Sequence, residues 1–406
     1  MELDLKRMRQ GLSLLNLTIP AFPSVQVVGS NGKGSVSTFL EALARKHGLK
    51  TGLFTSPHFL SPRERILING KKLERSKWLE AAQILHGRVL GTVSPTYFEF
   101  LTLLAMRLFS EERVDFAIFE AGLGGLHDAT SALNSQFCCF TPIALDHAAI
   151  IGPSLQDIAM DKAGALKGKL QAWSSPQYPI AARILSEAAE SLAVPLHFTN
   201  AQKDPALEKL SLKGRHQIIN ASLALSAWRG IAASLDLNAN AEAEKAAIAN
   251  AFIAGRLQHI AASDAHPAFI LDGAHNPHAF SSLVRELPEI SCIIFSALSD
   301  KAWRDSLGLL CRKRESPVLV PQIENKRAEN PRTISDWLNR QSPGRARPIC
   351  GHFSMLRALA EGAKISNGKP APLLVCGSLF LLSAFYSLFP QYLNKNGDDN
   401  DNASRA

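Results

Sequence analysis

The stretch Val25-Gln26-Val27-Val28-Gly29-Ser30-Asn31-Gly32-Lys33-Gly34-Ser35 joins a largely apolar, β-branched run to a glycine-rich turn carrying one lysine. The residues that follow, through Arg45, have helical composition, with a helix predicted over Ser35–His47. Strand, turn and helix in that order bring backbone N–H groups, a helix N-terminus and an ammonium group to one point, as a polyphosphate requires. The strict spacing G-x-x-x-x-G-K-[ST] is not met, because Val27 occupies its first glycine position and Gly34 follows the lysine. On these residues alone an ordinary Gly-rich strand-to-helix turn stands equally open.

At 406 residues the chain exceeds one typical core, so two domains are expected. An apolar content of 46% with 20% charged residues describes an ordinary globular protein and excludes a disordered one. The net charge of +8 favours anionic partners in general. Its positive residues are scattered and not interleaved with aromatics, so no nucleic-acid groove is expected. None of the six cysteines forms a C-x-x-C pair, which reads as buried reduced thiols in a cytoplasmic protein. The start, Met1 to Lys6, carries early acids and no signal-peptide apolar run. Ala371 to Leu393 lacks charge and is long enough to span a bilayer, but Gly377, Ser378, Ser383, Ser387, Pro390 and Gln391 interrupt it. A strand over Leu373–Cys376, a turn and a buried helix describe it better, and no membrane association is expected.

Strand and helix signals alternate almost throughout, which predicts an α/β fold with mainly parallel sheet. Strands are predicted over Val25–Val28, Leu53–Thr55, Phe116–Glu120, Phe137–Ala144 and Gln171–Ser174. Helices fall between them over Lys77–Leu85, Phe98–Glu112 and Gln156–Ala163, then over His216–Ala233 and Ala241–Ala254. A second alternation begins near Phe269, with strands over Ala268–Leu271, Cys292–Phe295, Pro317–Val320 and Leu373–Cys376. The expected domains are 1–256, which carries the glycine-rich loop; 257–393, smaller and Rossmann-like; and a disordered polar tail, 394–406.

Several short motifs fall at strand ends, where doubly wound sheets bind ligands. Thr55-Ser56-Pro57-His58 opens a loop with Arg63-Glu64-Arg65; its serine hydroxyl suits Mg²⁺, or simply an ST-turn. Glu120 ends a buried strand and precedes Ala121-Gly122-Leu123-Gly124-Gly125. A carboxylate there is costly unless a cation or hydrogen bonds satisfy it. Leu145-Asp146-His147 and Asp161-Lys162-Ala163-Gly164 follow. In the second part, Leu271-Asp272-Gly273-Ala274-His275-Asn276-Pro277 presents an acid, an imidazole and an amide after a strand.

With Tyr97-Phe98-Glu99-Phe100, Glu120 through Thr130, Gly214-Arg215-His216-Gln217, Asn220-Ala221, Gly255-Arg256 and Gly377-Ser378-Leu379, these motifs resemble the dihydrofolate synthase/folylpolyglutamate synthase family of the Mur ligase superfamily. They occur in family order over nearly the whole chain, and that order is specific where each motif is weak. The resemblance implies an N-terminal Mur-ligase-type P-loop ATPase domain and a C-terminal Rossmann-like domain. It implies that Asn31, Gly32, Lys33, Gly34 and Ser35 cradle the ATP phosphates. Asn220, Arg256, Asp272, His275 and Asn276 match nucleotide-binding positions. Ser56, Glu120 and His147 match ligands of Mg²⁺, two ions being implied, and Lys162 matches a lysine that CO₂ carbamylates into a further oxygen ligand. Lys33, Glu120, His147 and Lys162 thus form the implied catalytic set. Thr96, Tyr97, Phe98 and Glu99, with His127, Asp128 and Ala129, match the pterin-binding segments. The implied reaction joins L-glutamate to dihydropteroate, to a tetrahydrofolyl-polyglutamate, or to both, through an acyl phosphate, in a monomer.

This chain also departs from the family pattern. Leu126 stands where arginine is usual, Ser131 replaces an asparagine, and His127 replaces an apolar residue. Pro142-Ile143-Ala144 departs from the usual T-S-I-G run, and the stretch before the first strand reads as short. A folylpolyglutamate synthase without dihydropteroate activity, a Mur-type ligase for another acid, and a nucleotide-binding relative without catalysis are the competing readings.

Overall fold

The computed structural model describes residues 5–146, 148–200, 204–238, 240–366 and 370–394. The chain forms two compact units, one of Met1–Ser211 and Gln217–Ala251, the other of Leu212–His216 and Phe252–Ala406. Gly255 and Arg256, expected in the first domain, lie in the second unit. There Gly255 accepts a hydrogen bond from Gly273 N–H at 2.8 Å and donates one to Gln258 at 3.0 Å. Of the expected tail, only Asn394 falls within the described residues.

In the first unit the strands are β1 (Ser24–Val28), β2 (Thr51–Phe54), β3 (Ile66–Ile68), β4 (Lys71–Lys72), β5 (Phe116–Glu120), β6 (Phe137–Phe140), β7 (Gln171–Ser174) and β8 (Leu196–Phe198). They form one sheet in the order β4-β3-β2-β5-β1-β6-β7-β8. The six strands from β2 to β8 in that order run parallel, and β3 and β4 add an antiparallel edge. The chain lays β2 and β5 on one side of β1, then crosses to β6 on the other. Loops after β1, β5 and β6 therefore leave the same sheet edge side by side, at the switch point where doubly wound sheets bind ligands.

The central strands are buried along their whole length, so apolar runs form them without alternation. The helix Lys33–Lys46 covers β1 with Val36, Phe39, Leu40 and Leu43, spaced i, i+3, i+4, i+7 and fully buried. On another layer, Phe109 of the helix Tyr97–Glu111 packs on Phe119 of β5, ring centroids 5.6 Å apart. That helix starts at a capping box. Thr96 Oγ1 accepts from Glu99 N–H, and the Glu99 carboxylate accepts from Thr96 N–H at 2.6 Å.

The expected strand over Phe137–Ala144 stops at Phe140. Pro142 has no N–H to offer a ladder, and its carbonyl instead accepts from Ser30 N–H (3.1 Å) and Asn31 N–H (3.3 Å). The expected helix over Ala241–Ala254 likewise ends early, at Asn250.

In the second unit β9 (Gln258–Ile260), β10 (Phe269–Asp272), β11 (Cys292–Phe295), β12 (Val318–Pro321), β13 (Ala346–Ile349) and β14 (Leu373–Cys376) form a six-stranded sheet, order β13-β12-β11-β14-β10-β9. All pairs are parallel except β9 with β10. The uncharged stretch near the C-terminus resolves into β14, a turn at Gly377 and the helix Leu379–Leu388. No helix among the described residues is long and apolar enough to cross a membrane.

Candidate active site

After β1 the backbone turns through Gly29 (φ 153°) and Gly32 (φ 92°) into the helix that starts at Lys33. A Cβ on Gly29 would lie 1.9 Å from Thr141 Oγ1, and one on Gly32 would lie 2.4 Å from Asn220 Oδ1. Both glycines are thus fixed by space as well as by conformation. The same distances show that the structure brings Asn220 against the phosphate loop; Asn220 donates to Gln217 Oε1 at 2.9 Å. Ser30 Oγ and Ala144 exchange hydrogen bonds of 2.8 and 3.1 Å, so the Pro142–Ala144 run braces the loop. Lys33 Nζ donates to Gly29 O at 3.0 Å and Ser30 O at 3.5 Å, folding over its own turn. Ser35 and Gly34 are buried in the first helical turn.

A pocket opens at this point, lined by Gly29, Ser30, Lys33, Gly122, Leu123, Gly124, Asp146, Ile151 and Lys162. Three loops supply it, those after β1, β5 and β6, together with the helix Leu155–Ala163. The glycine turn after β5 is held by Asp128, whose Oδ2 accepts from Gly122 N–H and Leu123 N–H, both at 2.9 Å. Its Oδ1 accepts from Thr130 N–H at 2.9 Å and from Thr130 Oγ1 at 2.5 Å. Burial pushes the Asp128 carboxyl above its usual range, and the Thr130, Leu123 and Gly122 donors oppose that rise. Asp128, expected at the pterin, is therefore also the internal clamp of this turn. His127 beside it is exposed.

Lys162 is 4% exposed. Burial, then the nearby Lys33 cation, lowers its pKa from 10.5 to about 7, against the pull of Asp161, Asp128 and Asp146. A glycine is required opposite it, since a Cβ on Gly125 would lie 2.7 Å from the Lys162 Cα. Asp161 faces the same turn. A Cβ on Gly124 would come within 2.4 Å of its Oδ2, which is buried and makes no hydrogen bond among the described residues.

Glu120, also 4% exposed, ends β5. Its Oε2 accepts from Ser56 N–H at 3.0 Å, which brings together two of the expected metal ligands. His147 lies outside the described residues. The donor set fits Mg²⁺ in chemical type. A buried carboxylate offers about four acceptor directions, a serine hydroxyl adds another oxygen, and a lysine held near neutrality can be converted to an oxygen donor. No group of three His, Cys, Asp or Glu side chains gathers for a metal among the described residues.

The expected acceptor segment borders this pocket through Gly122, whose Cβ would sit 2.7 Å from the Phe98 ring. Tyr97 is 57% exposed, with Arg65 5.6 Å above its ring, and Arg65 Nε donates to His58 Nδ1 at 2.8 Å. Glu99 is committed elsewhere. Burial raises its pKa, but the Arg7 guanidinium (3.0 Å) and the Thr96 cap outweigh this and hold it below the usual range. Ala129 begins a short buried 3₁₀ turn after Asp128. Leu126 is 43% exposed, and its N–H donates to Asp161 O at 2.8 Å.

The second unit collects its expected residues around the end of β10. Asp272 accepts from Leu257 N–H and Ala274 N–H, both at 2.8 Å, and so ties the segment after Arg256 to the β10 loop. A Cβ on Gly273 would meet Arg256 Nη1 at 2.7 Å. His275 Nδ1 bonds Gly273 O at 2.9 Å, and Asn276 caps the helix Pro277–Glu286 by accepting from Ala279 N–H at 2.9 Å. Reasoning from sequence missed Asp146, Asp161 and Thr141 as parts of the first unit's site. The Asp146-His147 and Asp161-Lys162 pairs were the available signals, whereas nothing local marks Thr141.

No family model matches the chain. A folylpolyglutamate synthase of Arabidopsis thaliana is 35% identical over 348 residues, covering 74% of this chain and 56% of the relative. The dihydrofolate synthase/folylpolyglutamate synthase of Bacillus subtilis is 31% identical over 339 residues, covering 75% of this chain and 78% of the relative. The chain spans about half the length of several curated relatives it matches. Among solved structures, the bifunctional folylpolyglutamate synthase/dihydrofolate synthase of Yersinia pestis, complexed with AMPPNP and Mn ion, superposes with a TM-score of 0.83. It is 28% identical, and 96% of this chain and 94% of that one are covered. Similarity along three quarters of both the Bacillus sequence and this one, on a shared two-sheet architecture, shows that the chain belongs to the dihydrofolate synthase/folylpolyglutamate synthase family.

Proposed function

We propose that this chain is an ATP-dependent ligase that joins L-glutamate to a folate-type carboxylate: dihydropteroate, a tetrahydrofolyl-polyglutamate, or both. The observation that carries the reading is the single pocket shared by Lys33, the glycine turns after β1 and β5, Asp146 and Lys162. Family membership and the nucleotide-bound Yersinia relative support it. The chemistry is acyl transfer. An acceptor carboxylate oxygen attacks the γ-phosphorus of ATP, the bond to ADP breaks, and an acyl phosphate forms. The glutamate amine then attacks the acyl carbon, phosphate leaves, and the amine loses a proton.

In this reading the N–H groups of Gly32 to Ser35 at the helix N-terminus bind the phosphates, with Asn31 beside them in the same loop. Lys33 turns from its own loop carbonyls toward the β- and γ-phosphates and counters charge on the transferring group. Ser56, Glu120, His147 and Lys162, the last as a carbamate, would hold Mg²⁺, which would supply further charge stabilisation. Asn220 is assigned to the nucleotide beside the loop. Arg256, Asp272, His275 and Asn276 are assigned as nucleotide-binding positions of the second unit. Thr96, Tyr97, Phe98, His127, Asp128 and Ala129 are assigned to the pterin. Glu99 serves that site indirectly, by fixing the cap that presents Tyr97 and Phe98. A monomeric, cytoplasmic enzyme completes the proposal, its compartment supported by six cysteines that are all free.

The test is ADP release with Mg-ATP and L-glutamate, comparing dihydropteroate with tetrahydrofolate. Joint dependence on glutamate and a folate upholds the reading, and nucleotide binding without turnover overturns it. Leu126 bears on the acceptor. An arginine there would add a cation next in sequence to the proposed pterin-binding segment 127–129, able to make a charge-assisted contact worth about 1.5–3 kcal/mol. Leu126→Arg is therefore expected to raise kcat/KM with dihydropteroate about tenfold or more. An unchanged value would place the limit on that substrate elsewhere.

A further inference from the structure

Gln26 is fully buried in the middle of β1, two residues before the phosphate loop. Its side-chain amide donates both N–H bonds sideways, to Thr130 Oγ1 at 2.9 Å and to Ser131 Oγ at 2.8 Å. Each hydroxyl passes its own proton on. Thr130 Oγ1 donates to Asp128 Oδ1, and Ser131 Oγ donates to Gly125 O. Asp128 in turn clamps Gly122 N–H and Leu123 N–H. Donation runs outward from Gln26 on both branches, ending at Gly125 O on one and at the Asp128 carboxylate on the other, which the turn's own N–H groups meet from the far side.

The arrangement leaves the Gln26 carbonyl oxygen buried without a hydrogen bond. Such an orphan is expensive, and a side chain without it would serve the fold as well. We propose that Gln26 is a positioning residue, which keys the Gly122–Gly125 turn to the strand that carries the phosphate loop. The phosphate loop has separate braces at Thr141, Pro142 and Asn220. The turn after β5 is pinned at its ends by Ala121 N–H on Val27 O and Leu126 N–H on Asp161 O. Its interior is held by Asp128 and, through Thr130 and Ser131, by Gln26, and the turn backs Phe98 through Gly122. Loosening the key therefore reaches the acceptor side of the pocket before the ATP side. The assignment of acceptor and ATP sides rests on the proposed ligase reading; the keying of the turn does not.

The test compares the full chain with Gln26→Met, which keeps length and removes both the donors and the orphan acceptor. Amide hydrogen exchange over 121–131 is expected to quicken about tenfold, the signature of a locally loosened unit. The melting temperature should move by less than about 2 °C, since Thr130 and Ser131 keep their own acceptors. In ligation assays KM for the folate acceptor should rise about tenfold while KM for ATP stays within about twofold. Unchanged exchange over 121–131 overturns the proposal, as does faster exchange spread evenly through the fold with a large melting loss. Should Gln26→Met fail to fold, Ser131→Ala decides in its place. Quickening confined to 121–131 upholds the key, and none overturns it. If the unaltered chain shows no ligase turnover, the functional reading fails while the exchange result still judges Gln26.

Discussion

Lys33→Ala is expected to lower kcat for ligation by about 10²–10³-fold, the cost of removing one preorganised charge from a phosphoryl-transfer site. The fold should tolerate it. The ammonium is half-buried, and its hydrogen bonds, at 3.0 and 3.5 Å, go to two carbonyls of its own turn. Those carbonyls lie beside an open pocket, where water can take over as donor. Lys33→Arg separates charge from shape. A longer, planar cation over a turn this tight should restore only part of the rate, because a guanidinium does not replace a compact ammonium at a phosphate. A second readout follows from electrostatics. Lys33 is the largest charge lowering the Lys162 pKa after burial, so Lys33→Ala should return Lys162 toward the ordinary lysine range. Near-normal turnover in Lys33→Ala would show that the phosphate site is misassigned.

Much of this site was legible because it sits on buried central strands and glycine turns. Val25–Val28, Phe116–Glu120 and Gln171–Ser174 are apolar enough to read without neighbours, and β1, β5 and β7 fall there. The strands that escaped reading are β3, β4, β8, β9 and β13, all at or next to a sheet edge. They are short and half-exposed, and β13 carries Arg347 and Pro348, so their composition resembles loop. One signal was there to use. Asn69-Gly70, both at positive φ, is a hairpin turn joining β3 to β4. The helices Lys6–Leu14 and Pro179–Ser191 also went unread. Among site residues, Glu120 stands out by its place at the end of a buried strand and Lys33 by the glycine turn that follows one, although neither position alone decides a role. Gln26 and Thr141 do not stand out, because their importance lies in partners about a hundred residues away, at Thr130 (a separation of 104) and Val28 (113). Glu99 shows the converse. Its place in a pterin-like motif pointed to substrate, whereas the capping box and Arg7 claim its carboxylate.

Lys162→Met is expected to abolish ligation, by about 10² or more for loss of one ligand and its charge, and to raise the melting temperature at neutral pH. Both halves come from one cause. A lysine whose folded pKa is depressed from 10.5 to about 7 is a destabilising group. Between those values the unfolded chain binds more protons than the folded one, so stability climbs as pH rises, and below about 7 the penalty is complete. The melting advantage of Lys162→Met should therefore be greatest near pH 6–7 and shrink toward pH 10. The same depression leaves roughly half the amines neutral at pH 7, against well under 1% for an exposed lysine. Only the neutral amine can add to CO₂, forming the N–C bond and shedding a proton, so an energetically costly lysine is a primed one. Ligation by the unaltered chain should then fall as pH drops below about 7. It should also fall in decarbonated buffer and recover with bicarbonate, and a short added carboxylate should partly rescue Lys162→Ala. Activity indifferent to CO₂, together with a melting loss in Lys162→Met, would make Lys162 an ordinary buried cation held by Asp161, Asp128 and Asp146, and would remove the carbamate from the mechanism.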